Sequence, residues 1–193
     1  IDGGAGNDIL YLTSEEGAVA NLATVTNVES LVYRSTVAGA HIDLANLASI
    51  TSVTMDRTVG GTNLSGVATT DTVTLDKLAA DAATTVTYTA TDVTGSADAA
   101  TINLDGVKNG AELTLANDVE TINLVASGAA SRLDVLVLDA QTTKLTIDAG
   151  EKFTLDDTLT AAGMKTLTVT GDSLVKITPT LVDATTTVDA SGM

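Results

Sequence analysis

Short triplets of the form apolar–x–apolar recur along the chain, separated by polar and turn-forming residues. One series runs Leu31-Val32-Tyr33, Val53-Thr54-Met55, Val73-Thr74-Leu75, Ile102-Asn103-Leu104, Ile122-Asn123-Leu124, Leu145-Thr146-Ile147 and Leu167-Thr168-Val169, with a degenerate member at Thr186-Thr187-Val188. A second series lies between these: Ile42-Asp43-Leu44, Val86-Thr87-Tyr88, Leu113-Thr114-Leu115, Val135-Leu136-Val137, Phe153-Thr154-Leu155 and Val175-Lys176-Ile177, with a weak member near Leu64. Period-two alternation predicts short strands with the apolar residues turned inward. Both series repeat at about 20–23 residues, the range of solenoid coils, and are offset by about half a coil. Two strands per coil imply two facing sheets, so the fold expected is an all-β solenoid. A β-sandwich also suits regular short strands. The solenoid is preferred because residues recur as well as spacings: Thr101-Ile102-Asn103-Leu104 returns unchanged as Thr121-Ile122-Asn123-Leu124.

Between strands stand turn signals such as Gly60-Gly61, Ser65-Gly66, Asn109-Gly110, Ser127-Gly128 and Gly171-Asp172. Two connections, Leu44–Ala48 and Leu75–Ala80, are rich in Leu and Ala and read as short helical or 3₁₀ turns. The rhythm breaks once. Both series run late across Thr89–Ala99, which reads as an insertion, and insertions in repeats become loops on one face. Asp92 and Asp98 flank Gly95 there and make a candidate cation site, with a solvated loop as the plainer alternative.

Composition narrows the function. The net charge is −16, from 25 acidic against 9 basic residues, which disfavours nucleic acid and anionic membrane and favours divalent cations. Aromatics make up only 2%, so the core must come from Val, Leu, Ile and Ala. No cysteine is present, so no disulfide can add rigidity. No apolar run reaches membrane-spanning length.

The most specific stretch is Gly3-Gly4-Ala5-Gly6-Asn7-Asp8-Ile9-Leu10-Tyr11, which fits G-G-x-G-x-D-x-U-x with U a large apolar residue. Glycines let the backbone turn so that carbonyls point inward, Asp8 adds a carboxylate, and such hard oxygen ligands suit Ca²⁺. A glycine-rich hairpin turn with one capping Asp is the plainer reading. The segment resembles the calcium-binding nonapeptide of the repeats-in-toxin (RTX) family, each copy of which forms a half-turn of a parallel β-roll with Ca²⁺ between turns. The resemblance implies carbonyl ligands at Gly4 and Gly6 and a carboxylate ligand at Asp8. Ile1 and Asp2 fall at the end of a preceding nonapeptide, so half of the site is expected before Ile1, with Asp2 as a further candidate. On this reading residues 1–12 end a calcium-binding roll and 13–193 form a β-repeat domain cut at both ends. Val188-Asp189-Ala190-Ser191-Gly192-Met193 reads as a repeat interrupted after its turn.

Catalytic signals are weak. The single histidine, His41, has no ligand partner at metal-binding spacing, and no zinc-protease, nucleophile-elbow or P-loop motif occurs. Asp156-Asp157 and Glu15-Glu16 are adjacent pairs whose members would point to opposite faces of a strand. Asn63-Leu64-Ser65 is a lone glycosylation-type sequon that reads as a turn. The chain is therefore not expected to be an enzyme. Calcium motif, β-repeat, acidity, Thr and Ala richness and lack of cysteine together resemble the RTX-bearing surface-layer (S-layer) proteins of Gram-negative bacteria, exported by type I secretion. Val25-Thr26-Asn27-Val28-Glu29-Ser30-Leu31-Val32, followed by Leu47-Ala48-Ser49-Ile50-Thr51-Ser52-Val53-Thr54, adds to that resemblance. It implies an extracellular structural subunit tiling the cell surface, held to copies of itself through Ca²⁺. Cell-surface polysaccharide would be a second partner, with no nucleic acid and no membrane insertion. An RTX adhesin stalk, or the calcium-binding tail of a secreted protease or lipase, are the alternatives.

Overall fold

A computed structural model describes residues 1–15, 25–45, 47, 49–181 and 185–193. In chain order its strands are β1 (Ile9–Ser14), β2 (Ser30–Ser35), β3 (Ala40–Asp43), β4 (Ser52–Asp56), β5 (Thr62–Val67), β6 (Thr72–Asp76), β7 (Ala83–Tyr88) and β8 (Ala99–Asp105). There follow β9 (Glu112–Ala116), β10 (Thr121–Ala126), β11 (Ser131–Val137), β12 (Lys144–Ala149), β13 (Phe153–Thr160), β14 (Thr166–Thr170), β15 (Val175–Ile177) and β16 (Thr187–Gly192). One parallel sheet runs β1-β2-β4-β6-β8-β10-β12-β14-β16, and a second runs β15-β13-β11-β9-β7-β5-β3. The chain thus winds as a β-solenoid of about 8 turns, two strands to a coil. The first triplet series supplies the nine-stranded sheet from β2 onward. The second supplies the seven-stranded sheet, including the weak member at Leu64, which lies in β5.

The two sheets face each other across one apolar core. Inward positions alternate with half-exposed ones: Val53 and Met55, Val73 and Leu75, Ile102 and Leu104, and Leu145 and Ile147 are all buried. Each inner side chain sits between its counterparts one coil before and one coil after, so burial repeats with the coil. The corners repeat as well. Arg57, Lys77 and Gly106 follow β4, β6 and β8 with φ of 49°, 50° and 63°. The left-handed turn costs the two non-glycine residues about 1–2 kcal/mol each. Ladder bonds hold it: Arg57 N–H donates to Asp76 O at 2.8 Å and Lys77 N–H to Asp105 O.

Several local expectations are met in part or corrected. In Leu44–Ala48 a single turn closes with the i→i+3 bond of Leu47 N–H to Leu44 O, as a short 3₁₀-type turn would, with Asn46 and Ala48 outside the described residues. In Leu75–Ala80, Leu75 and Asp76 instead end β6, and the turn falls later, where Ala82 N–H bonds Ala79 O. In β11 it is Leu133 and Leu136 that face inward, while Val135 and Val137 stand half-exposed, because a register shift between Leu133 and Val135 reverses the alternation. The identical tetrapeptides do not stack like on like. Leu124 pairs with Ile102 and Ile122 with Ala100, a slip of two residues that leaves every inward residue inward. Asp156 and Asp157 do not divide between the two faces. The β13 irregularity leaves Asp156 half-exposed and Asp157 exposed, with Asp156 paired to Arg132 and Lys176. Glu15 is exposed, and Glu16 lies outside the described residues. The interval Thr89–Asp98 is a loop between β7 and β8, where the insertion was expected.

Candidate metal-binding corner

The glycine-rich stretch forms the corner that leads into β1. Its first glycine is a packing requirement: a Cβ on Gly3 would lie 1.9 Å from Asn27 O in the next coil. Gly3 N–H donates to Thr26 O at 3.0 Å and Thr26 N–H to Ile1 O at 2.9 Å, which stacks the two coils. Gly4 and Gly6 take φ of 87° and 135°, a region closed to most side chains. Leu10 then enters β1 and packs on the core, in register with Leu31 of β2. Residues 9–14 therefore continue the same sheet as the rest of the repeat.

The two carboxylates at this corner differ. Asp2 Oδ1 accepts Asn27 Nδ2 at 2.8 Å and Gly4 N–H at 3.0 Å. Those bonds, the Asn27 one foremost, hold the exposed Asp2 carboxyl below its ordinary value. Asp8 is fixed through its backbone instead. Its N–H donates to Glu29 Oε2 at 2.9 Å, and its carbonyl accepts Glu29 and Ser30 N–H at 3.2 and 3.1 Å. Its carboxylate turns back over the loop, with Oδ2 4.0 Å from where a Gly6 Cβ would sit. That Oδ2 is buried and has no hydrogen-bond partner. A buried, unpaired carboxylate oxygen is costly unless a proton or a cation meets it. A hard cation such as Ca²⁺ is the kind of partner a carboxylate oxygen in this setting can take. Among the described residues, no group of three or more His, Asp or Glu side chains is placed to hold an ion.

Asp98, ahead of β8 and four coils further up the stack, repeats the backbone setting of Asp8. Its N–H donates to Glu120 Oε2 at 2.9 Å, and its carbonyl accepts Thr121 N–H at 2.9 Å. Its carboxylate differs, because Oδ2 is taken by Gly95 N–H at 3.0 Å. Asp92 faces elsewhere. It lines a hollow of ≈ 270 Å³ with Asp71, Leu44, Leu47 and Ile50. Burial there pushes the Asp71 carboxyl up, against the Ala68 N–H bond, and the nearby Asp92 charge adds to the push. The structure thus sets Asp92 beside Asp71 and gives Asp98 to the loop's own amide. Sequence reasoning missed the bracing glutamates, although the quartets Asn27-Val28-Glu29-Ser30 and Asp118-Val119-Glu120-Thr121 carry the signal. His41 is exposed on β3, with Nε2 2.7 Å from Ser65 Oγ of the next coil. Asn63 of the sequon is exposed on β5.

In comparisons with known proteins, no family model, no curated protein and no solved structure matches the chain.

Proposed function

We propose that the chain is a structural subunit of a calcium-dependent bacterial surface layer, a two-dimensional lattice assembled from copies of itself outside the cell. The observation that carries the proposal is the buried, unpartnered Asp8 Oδ2 within a G-G-x-G-x-D corner of a β-solenoid. A cation at that oxygen would bind the folded corner and not the unfolded chain, so calcium would stabilise the fold by mass action. It would also lower the self-repulsion of a chain with net charge −16. Gly4, Gly6 and Asp8 are the residues proposed to hold Ca²⁺, and Asp2, engaged by Asn27 and Gly4, would steady the loop. Export in low calcium and folding at the millimolar calcium of the exterior follow from the same linkage. The coil-by-coil stack also suits a stalk, so an adhesin spacer is the second reading. Electron microscopy of the purified chain distinguishes them. Calcium-driven sheets that dissolve in chelator support the lattice; a chain that stays monomeric in calcium and binds a surface glycan supports the stalk.

A further inference from the structure

The outer face of the nine-stranded sheet has a central strip that is poor in charge. Two rows of outward residues run up it in register. One passes through Ser30, Ser52 and Thr72, and continues through Thr101, Asn123, Thr146 and Thr168. The other passes through Val32, Thr54, Thr74, Asn103, Val125, Asp148 and Thr170. Asp148 is the single ionisable side chain in these rows from β2 to β14, in a chain of net charge −16. Asn103 Nδ2 donates to Thr74 Oγ1 across strands at 3.4 Å, so the rows brace themselves. The outer face of the seven-stranded sheet carries His41, Asp43, Glu112, Arg132, Asp134 and Asp156 instead. One edge of the strip is bordered by the charged row of Arg34, Asp56, Asp76 and Asp105.

We infer that this hydroxyl-rich strip is the face through which a second copy of the chain docks, sheet against sheet. The inference rests on the lattice reading and names its contact. Two acidic copies repel each other, and the repulsion is least where each presents rows with a single carboxylate, Asp148, at one end. Thr and Val are stiff at χ1, so they lose little freedom when covered. Seven strands at about 4.8 Å by two rows about 7 Å apart give a strip of roughly 500 Å² per copy. A pair then buries about 1,000 Å², the lower bound of specific interfaces, with the charged row as a rim. Such a contact is weak singly and gains from repetition in an array. Because β8 is the middle strand of the nine, a two-fold axis through the face brings Asn103 of one copy near Asn103 of the other.

The chain has no cysteine, so single thiols report contacts without background. Asn103→Cys and, as control at the centre of the other sheet, Thr114→Cys are treated in calcium with a bis-maleimide that spans about 10 Å, the spacing of stacked sheets. Efficient dimer formation by N103C, absent with T114C and suppressed by adding Thr74→Asp and Thr146→Asp with unchanged circular dichroism, is the expected result. Calcium-driven assembly with no N103C dimer overturns this inference and leaves the lattice reading standing. No association of any kind overturns both. Blocking of N103C labelling by added cell-surface polysaccharide, with the chain monomeric, assigns the face to a glycan and overturns docking of a second copy.

Discussion

Leu104 lies at the middle of the stack, fully buried, in register with Leu75 of β6 and next to the β10 strand that contributes Ala126. Leu104→Ala removes a side chain whose neighbours are pinned above and below by parallel ladders, so the hole has little room to collapse. Leu→Ala in cores costs about 2–5 kcal/mol, and the pinned setting places this one in the upper half, about 3–5 kcal/mol. Leu10 is the contrast. It is only partly buried on β1 and is stacked on β2 alone among the described strands. Leu10→Ala is expected to cost about 1–2 kcal/mol from lost burial alone. With a urea slope of about 2 kcal/mol/M, L104A lowers the midpoint by roughly 1.5–2.5 M and L10A by less than ~1 M. Urea titration followed by far-ultraviolet circular dichroism reads both. Because coils unfold with incomplete cooperativity, midpoints at fixed calcium are compared and not extrapolated energies. Equal midpoint losses for the two variants, or a loss below ~0.5 M for L104A, would refute the coil-by-coil account of the core.

The other expected outcomes concern the corners. Glu120→Ala removes the acceptor of the Asp98 amide and lowers stability by about 1–2 kcal/mol, with Glu120→Gln losing less; the same urea assay reads it. Gly3→Ala forces a Cβ into Asn27 O and lowers the melting temperature even without calcium, because the clash is between coils. Asp71 provides a pH test. Its folded-state value is raised above 3.8, mainly by burial, so its ionisation opposes folding above that raised value, and the opposition fades as pH falls toward 3.8. Asp71→Asn, which keeps an acceptor for Ala68 N–H, therefore raises the melting temperature at neutral pH. It leaves the melting temperature unchanged near pH ~3, where the carboxyl is protonated folded or unfolded.

The architecture was legible because its signal repeats. Each inward pair, such as Val73 and Leu75 or Leu113 and Leu115, is apolar around one polar residue, and a 20–23-residue spacing can be met by stacked coils. β1 was less visible. Ile9, Leu10, Tyr11 and Leu12 are apolar without alternation, so no face declares itself, and Ile9 and Tyr11 prove exposed. The irregularities in β5, β11 and β13 were hidden for another reason: an extra residue changes which side chains face inward without altering composition. The candidate site was half legible. Gly4 and Gly6 take the positive φ that a glycine-rich turn asks for, and Asp8 closes that turn ahead of β1. The pairing of Asp8 with Glu29 depends on which coil lies above, and that of Asp92 with Asp71 on how the insertion folds back. The recurring quartets mark the glutamates, but neither partner can be assigned from local sequence.

Calcium should act through the Asp8 corner, and the most direct test is a thermal melt of the chain and of Asp8→Asn by circular dichroism, from excess chelator to millimolar calcium. The account predicts a melting temperature that climbs with calcium for the native chain, and a climb that is shifted to higher calcium or lost for the variant. In chelator the variant should be no less stable than the native chain, since the negative charge at the buried, unpartnered position is gone. A melting temperature that does not move with calcium, or moves equally in both proteins, would contradict the claim.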